Sequence, residues 1–372
     1  MKIQIVRRWA VVAAGVTLLC GLPVIASALP VSVPRLTAGQ LRARIMASAD
    51  EPYAGYAESS ATFGLPPVAG LTGLTSLLNG VTKMRVWQAT PARWRVDVLS
   101  DAGERDTYQL SGCRSYIWDS GNQLLTEVRG RQTYRLPRPA DLVPPALALR
   151  MLSEAGRQAR YGVIAPLRVA GRSAAGLRVT PADPASTVGR VDIWADPSSG
   201  LPLRVEVFGR GSARPALESL FFQVSPWHPD SRVLTPTRAS GTGFTVTSAG
   251  SLAGALRNLA LVALPAQLAG RLRLPVQPGF ETIGAYGGGL STFVVLAVRG
   301  SADRNLVPDV VSAGGTPLVL AGGAGAEISA PLINAIVVRP PGWFFTFLLA
   351  GTVSPQLLER AATGLTELVA LP

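Results

Sequence analysis

Histidine and lysine are almost missing from this 372-residue chain, and it has only two cysteines. The single histidine, His228, stands in the Pro-flanked run Pro226-Trp227-His228-Pro229-Asp230, so no His-x-x-x-His pair exists. With one histidine, and with Cys20 and Cys113 far apart, no tetrahedral zinc shell can close. There is no Gly-x-Ser-x-Gly elbow and no Ser-x-x-Lys, because Lys83 has Gly80 three residues before it. The runs Gly287-Gly288-Gly289 and Gly322-Gly323-Ala324-Gly325 are not followed by Lys-Ser/Thr, and the second lacks the third glycine of a dinucleotide fingerprint. Both read as turns. Glu104, Asp106 and Asp119 flank β-turns and read as solvated carboxylates. The chain is therefore expected to be non-catalytic, with no cofactor and no metal.

Lys83 is the only lysine after Lys2, and the basic residues are almost all arginine. The formal net charge is +12, but the charges are scattered singly along the chain. Nucleic-acid binding needs basic clusters interleaved with aromatics, so nucleic acid is not an expected partner. An arginine bias of this kind reflects a GC-rich genome. Anionic headgroups of a membrane surface, or acidic cell-wall polymers, fit the charge. Cys113 is the only cysteine after Cys20, so no disulfide is expected in the body of the chain, and the lone thiol reads as a small buried hydrophobe. The fold must hold by packing, for which 48% hydrophobic residues are ample.

What the chain does have begins with its first residues. Lys2, Arg7 and Arg8 precede an apolar run that ends in Ala26-Ser27-Ala28, the pattern of a cleaved export signal. Residues 1–28 therefore read as a signal peptide, or as an uncleaved anchor, since about 20 apolar residues can span a bilayer. Either way the remainder lies on the outer side of the membrane. Residues 29–36 form a Pro-containing linker, and Thr37-Ala38-Gly39-Gln40 has capping-box spacing for a helix running to about Ser48.

From Tyr53 the apolar period changes to two. Strands are expected over 53–63, 83–88, 93–98, 107–110, 114–119, 123–128 and 132–136, forming one antiparallel meander. A helix then interrupts over 142–160, with Pro144 and Pro145 in its first turn and Leu147, Met151, Leu152 and Ala155 on one face. Strands resume over 163–169, 174–180, 188–195 and 201–208, and 217–224 closes the sheet. A sheet of this size must curl to bury its apolar face. The expected fold class is α+β: a half-open antiparallel β-barrel with helices at its mouth over 37–225, a linker over 226–251, and a smaller α+β domain over 252–372. In that last part 252–272 reads as a buried helix pair. Strands are expected over 293–298, 317–320, 333–338 and 344–350, and Ser354-Pro355 opens a final helix.

Strand alternation puts Trp94, Val96 and Val98 on one face, and Tyr116 with Trp118 on one face. Trp87 lies opposite Met84 and Val86, alongside Arg85. These side chains either fill an ordinary core or line a cavity for an acyl chain or apolar peptide. The candidate ligand residues are Trp87, Trp94, Tyr116, Trp118 and Trp194.

Three short motifs carry a family resemblance. Glu51-Pro52-Tyr53-Ala54-Gly55-Tyr56 resembles the Pro-Tyr-Ser-Gly opening of the periplasmic RseB/MucB sigma-factor regulators. Val169-Ala170-Gly171-Arg172-Ser173-Ala174 resembles their Val-Ala-Gly-Arg-x-Ala step. Val191-Asp192-Ile193-Trp194-Ala195-Asp196, with Ser199-Gly200-Leu201-Pro202, resembles their Leu-Trp-Leu-Asp, x-Thr-Gly-Leu hairpin. The resemblance implies the half-open barrel of LolA/LolB lipoprotein carriers followed by a smaller domain. It also implies an apolar ligand in the large domain and a membrane-bound anti-sigma-like protein as partner. The alternative it leaves open is a carrier of lipids or lipoproteins. After about Ser225 the sequence departs from that family.

Overall fold

A computed structural model of the chain describes residues 31–64, 72–130, 137–156, 158–238, 240–248, 259, 262–276, 282–299, 301–320 and 323–370. The expected export signal, the strand at 132–136 and most of 252–261 lie outside the described residues. The protein is mostly β, with few helices. No described helix is long and apolar enough to cross a membrane.

Helix α1 (Ala38–Ala47) starts where the capping box places it. The Thr37 hydroxyl accepts from the Gln40 N–H at 3.2 Å, and the Thr37 N–H donates to Gln40 Oε1 at 2.9 Å. Strand β1 (Tyr53–Ala61) and helix α2 (Thr72–Leu78) follow. The meander comprises β2 (Val81–Thr90), β3 (Arg93–Ser100), β4 (Gly103–Ser111), β5 (Arg114–Asp119) and β6 (Leu124–Arg129). Helix α3 (Pro144–Ala155) has its prolines at the first helical positions, where their missing N–H groups are not needed. Strands β7 (Arg160–Val169), β8 (Arg172–Thr180), β9 (Val188–Ala195), β10 (Pro202–Gly209) and β11 (Pro215–Ser225) come next, then β12 (Gly243–Ser248).

These strands make one twelve-stranded sheet in the order β12-β6-β5-β4-β3-β2-β1-β11-β10-β9-β8-β7. The strand expected to close the sheet does so from the middle, since β11 pairs antiparallel with both β1 and β10. The edges are β7 and β12. Along β1–β3 and β8–β11, alternate residues face α1 and α3; most are apolar, with polar members such as Ser59, Thr82, Gln88 and Ser219. Leu41 and Ile45 of α1 and Leu147, Ala148 and Leu152 of α3 are buried in one cluster with Ala57, Met84, Val96, Leu177, Ile193, Val205 and Phe221. We call this the inner face.

Beyond a β13 (Gln267–Leu268) and β14 (Arg271–Leu272) hairpin, a second sheet has the order β15-β16-β20-β19-β18-β17. It is built from β15 (Ile283–Gly288), β16 (Ser291–Arg299), β17 (Thr316–Leu320), β18 (Gly323–Ser329), β19 (Asn334–Arg339) and β20 (Phe345–Gly351). Helix α4 (Ser301–Ser312) precedes β17, and α5 (Pro355–Ala370) ends the described chain. Leu357, Leu358, Ala361 and Leu365 of α5 are buried against Phe293, Val295, Phe347 and Leu349. The loop before β9 stitches the two sheets. The Thr187 N–H donates to the Thr352 carbonyl at 3.1 Å, and the Ser186 hydroxyl donates to the Leu290 carbonyl at 2.6 Å.

Four local readings are corrected. The linker expected over 226–251 contains β12, which pairs parallel with β6. Within 252–272, described residues 262–272 form coil and the short hairpin rather than helix; Pro265 interrupts the run, and Ala269 and Gly270 turn it with φ of +46° and +74°. Gly323-Ala324-Gly325 begins a strand instead of a turn. A side chain at Gly325 would collide with the Val337 carbonyl, so glycine permits that close pairing. Cys113 is exposed, in the turn between β4 and β5, and is not a core residue.

Leu152 is fully buried where α3 meets the inner face. Leu152→Ala is expected to lower the unfolding free energy by about 2–5 kcal/mol. Denaturant titration checks this, and a loss below about 1 kcal/mol would mean that α3 is not seated on the sheet.

Candidate functional site

The inner face of the large sheet holds a groove of about 270 Å³ between β1–β3 and the start of α3. Tyr53, Val86, Trp94 and Val96 form its sheet wall, and Val143, Pro145 and Leu149 its helix wall. Register explains the sheet wall. Tyr53 lies opposite Gln88, Gln88 opposite Trp94, and Val86 opposite Val96, so all five side chains share one face. Tyr53 donates to Gln88 Oε1 at 3.2 Å, which satisfies the one polar atom that its buried ring carries inward.

At one end the groove stops at a stacked pair, with the Arg138 guanidinium 4.7 Å above the Trp94 ring. The Arg138 backbone N–H donates to Asp141 Oδ2 at 2.9 Å, which sets the approach of the chain into α3. Trp94 and Arg138 also border a second hollow of about 340 Å³, whose other walls include Gln109, Gly112 and Ser115. Opposite Trp94, β4 carries Gln109, and opposite that β5 carries Ser115. The inner face thus changes from apolar to polar across Trp94. The arrangement offers no nucleophile–base pair; it offers an apolar slot with Gln88 and the Arg138–Asp141 ion pair at its boundary.

The five aromatic candidates do not converge on this groove. Trp94 lines it. Trp87, Tyr116, Trp118 and Trp194 belong to the outer face, because each is an odd number of residues out of phase with the inner set. Trp87 lies opposite Arg95, with the Arg95 guanidinium 5.1 Å from its ring centroid and that of Arg85 at 5.9 Å. Tyr116 lies opposite Tyr108 and Glu127. Trp118 faces a hollow with Arg95, Asp106, Pro236 and Thr237. Trp194 lies opposite Arg204, 5.4 Å from its guanidinium, and donates its indole N–H to the Ala165 carbonyl at 3.0 Å. Of the groove lining only Trp94 was among the sequence candidates; Tyr53, Arg138 and Leu149 are among the residues that the sequence reading missed. The Pro-Tyr-Ala-Gly motif was the signal that could have found Tyr53.

Across β2, β3 and β4 the outer face carries a compact charge network. Arg95 Nε donates to Asp97 Oδ1 at 2.5 Å and its NH2 to Asp106 Oδ2 at 2.9 Å, while Arg85 pairs with Glu104 and approaches Asp97 at 3.6 Å. Asp97 and Asp106 are buried, so Asp106 is not the solvated turn residue expected. The carboxylates of Asp97, Glu104 and Asp106 lie within 4.8 Å of one another. The two guanidiniums already supply the cations this trio needs. Residues after β11 cross this face, with Arg95 NH1 donating to the Val233 carbonyl at 3.3 Å and Leu234 buried. Burial pushes the Asp97 carboxyl up to about 7 against the pull of Arg95. Burial also raises Asp106. At Glu104 the hydrogen bond from Arg85 and its other partners outweigh burial, and its value falls.

No protein-family model matches the sequence, and no curated protein matches it. Among solved structures, the chain is similar to one in the complex of MucA and MucB from Pseudomonas aeruginosa, at 17% identity, covering 87% of this chain and 96% of that one with a TM-score of 0.49. It is similar to MucB alone at 15% identity, 87% and 96% coverage and a TM-score of 0.46. A LolA-superfamily protein from Nitrosomonas europaea matches at 14% identity, 54% and 99% coverage and a TM-score of 0.25. MucB belongs to the group whose motifs the sequence resembles, and the LolA superfamily is the group whose fold that resemblance implies.

A carboxyl held above its ordinary value favours the folded state while it is protonated. The Asp97 contribution is therefore full below about pH 4 and is lost as pH rises toward about 7. Relative to the parent, Asp97→Asn is expected to flatten the fall in unfolding free energy between pH 5 and 8 by roughly 2 kcal/mol. Urea titrations across that range check it; parallel curves for the two proteins would show that Asp97 titrates normally.

Proposed function

We propose that this chain is an exported cell-envelope protein of RseB/MucB type. In this reading residues 37–225, extended by β12, form a LolA-like half-open barrel, and 252–372 form a smaller α+β domain. The barrel holds an acyl ligand, and the protein binds a membrane-bound anti-sigma-like protein to regulate extracytoplasmic sigma-factor signalling. The observation that carries the ligand half is the groove. A sheet wall of Tyr53, Val86, Trp94 and Val96 faces Val143, Pro145 and Leu149 across about 270 Å³ and ends at a guanidinium. Ligand sites are apolar concavities with few, placed polar groups, and this volume is just under the usual range of about 300–1,000 Å³. The partner half rests on the three sequence motifs. The export-signal pattern over 1–28 supports a role outside the cytoplasm.

The same groove favours a second reading, a carrier or chaperone for lipids or lipoproteins. Partner capture separates the two. A regulator holds its membrane-protein partner after washing, whereas a carrier passes its acyl cargo to an acceptor membrane.

Native mass spectrometry with lipid extraction, on protein purified from its own membrane fraction, tests the groove. An acyl species of defined mass is expected on the parent. Ala146→Trp, at a half-buried position of the groove lining, is expected to abolish it without changing the melting temperature. A parent protein with a clean apo mass, under conditions that keep lipid on a control carrier, sinks the acyl reading and leaves the groove as part of the core.

A further inference from the structure

Large apolar side chains exposed together call for an explanation that a single exposed leucine does not. One end of the second sheet has such a group. Phe344 is 86% exposed, Val319 89% and Trp343 45%. They stand on the turn between β19 and β20 and on the edge strand β17, which β18 separates from β19. Register puts Val319, Ala324 and Arg339 in one row across β17–β19 and sets Arg299 opposite Phe345.

The turn is built to be stiff. In Pro340-Pro341-Gly342-Trp343 the second proline fixes its own φ, Gly342 takes φ +78°, and the Trp343 N–H points back to the Pro340 carbonyl at 3.5 Å. Proline followed by a positive-φ glycine is the requirement of a type II turn. Behind it, Trp343 packs at a tilt against Phe345 at 5.3 Å and Phe345 packs edge-on against Phe347 at 5.1 Å, so the tip is braced against the core. Presenting Trp343 and Phe344 therefore costs little further conformational entropy on binding.

Two arginines lie close to the tip, and one carboxylate, Asp303, follows Arg299 at the start of α4. Residues 297–299, 318–320, 323–325 and 338–346 include Arg299 and Arg339 and no acidic residue. Arg339 forms part of the wall of a crevice of about 440 Å³ beside Gly323, Ala324, Pro340 and Phe344. A projecting turn with Trp and Phe at its tip and guanidiniums behind it has the chemistry of a bilayer interface. Tryptophan partitions to the headgroup level, phenylalanine inserts below it, and arginine pairs with phosphates.

We propose that the turn at 340–344, with Val319 exposed two strands away at the same end of the sheet, is a membrane-contact tip that seats Trp343 and Phe344 in the headgroup layer of an anionic bilayer. The proposal does not rest on the acyl groove, and the loss of either leaves the other standing.

The test uses the full chain with vesicles of equal parts phosphatidylcholine and phosphatidylglycerol carrying a brominated acyl chain, which quenches inserted tryptophan. Six other tryptophans are present among the seven, including Trp9 in the apolar N-terminal run, so the readout is the difference between the parent and Trp343→Phe. The parent is expected to show a quenched component that Trp343→Phe lacks. Phe344→Ser is expected to weaken that component roughly tenfold in vesicle titrations, the effect of withdrawing one phenylalanine from an apolar environment. Pure phosphatidylcholine vesicles or high salt should reduce it several-fold. Equal quenching of the parent and Trp343→Phe would overturn the proposal, as would no quenching of the parent. Shielding of Trp343 that grows with protein concentration in the absence of vesicles would overturn it in favour of self-association.

Discussion

The pairing of β1 with β11 is the constraint on which the large sheet depends. It sets Ala57 opposite Phe221 and Ala61 opposite Leu217, and joins the meander on one side to β7–β10 on the other. The entropy of closing so long a loop grows only logarithmically with its length, so a modest apolar seam can offset it. Phe221 is that seam, 1% exposed and edge-on to Tyr53 at 5.7 Å between centroids. Gly55 has a part here that no other residue could take. A side chain there would collide with the Gln223 carbonyl and crowd the Phe221 ring at 3.2 Å, next to the bulge between Tyr56 and Ala57. The Pro-Tyr-Ala-Gly motif is thus a packing requirement: the tyrosine supplies a groove wall and the glycine lets the seam close.

Once the seam is fixed, strand alternation divides every residue between two environments. The inner face takes the aliphatic set and the groove. The outer face takes the arginines, paired with carboxylates across strands and along them: Arg178 with Asp192 at 2.7 Å, Arg204 with Glu218 at 2.7 Å and, on its own strand, Glu206 at 2.5 Å, and Arg95 with Asp106 at 2.9 Å. Much of the arginine in the large sheet is therefore structural. A planar guanidinium reaches two carboxylates on adjacent strands and still stacks on an aromatic ring, which the ammonium of lysine does less well. Asp97, Asp106 and Asp192 are buried, so removing an arginine would strand a buried carboxylate, a larger effect than losing an exposed ion pair.

Patterns confined to neighbouring residues were legible in the sequence. The capping box at Thr37, the prolines opening α3, the hairpin turns of the meander and the serine-proline start of α5 each act within a few residues, and each helix starts at these signals, although α3 ends at Ala155 rather than at 160. Features that depend on a distant partner were not legible. The strand β12 pairs parallel with β6 across more than a hundred residues; Phe244-Thr245-Val246-Thr247 alternates apolar and polar, but nothing local names so distant a partner. Asp106 looks like a turn carboxylate until β3 brings Arg95 beside it. The aromatic candidates were judged by residue type, whereas phase decides. Trp94 differs from Trp87 because it falls in step with Val86 and Val96, an assignment that strand alternation alone could make once the β2–β3 register was known.

The two faces meet in β3. Trp94 and Val96 project into the groove; Arg95 and Asp97, between and beyond them, project into the charge network. A slip of one residue in this strand would bury Arg95 in the groove and turn Trp94 out among carboxylates. Apolar packing on one side and ion pairing on the other therefore fix the same register. Contacts from outside the meander reinforce it, with Arg138 stacked on Trp94 and the Val233 carbonyl accepting from Arg95. The groove wall is consequently rigid because of charges that never touch it. A ligand entering the groove meets a wall whose position is already set, and the entropy of arranging Tyr53, Val86, Trp94 and Val96 is spent in folding rather than in binding.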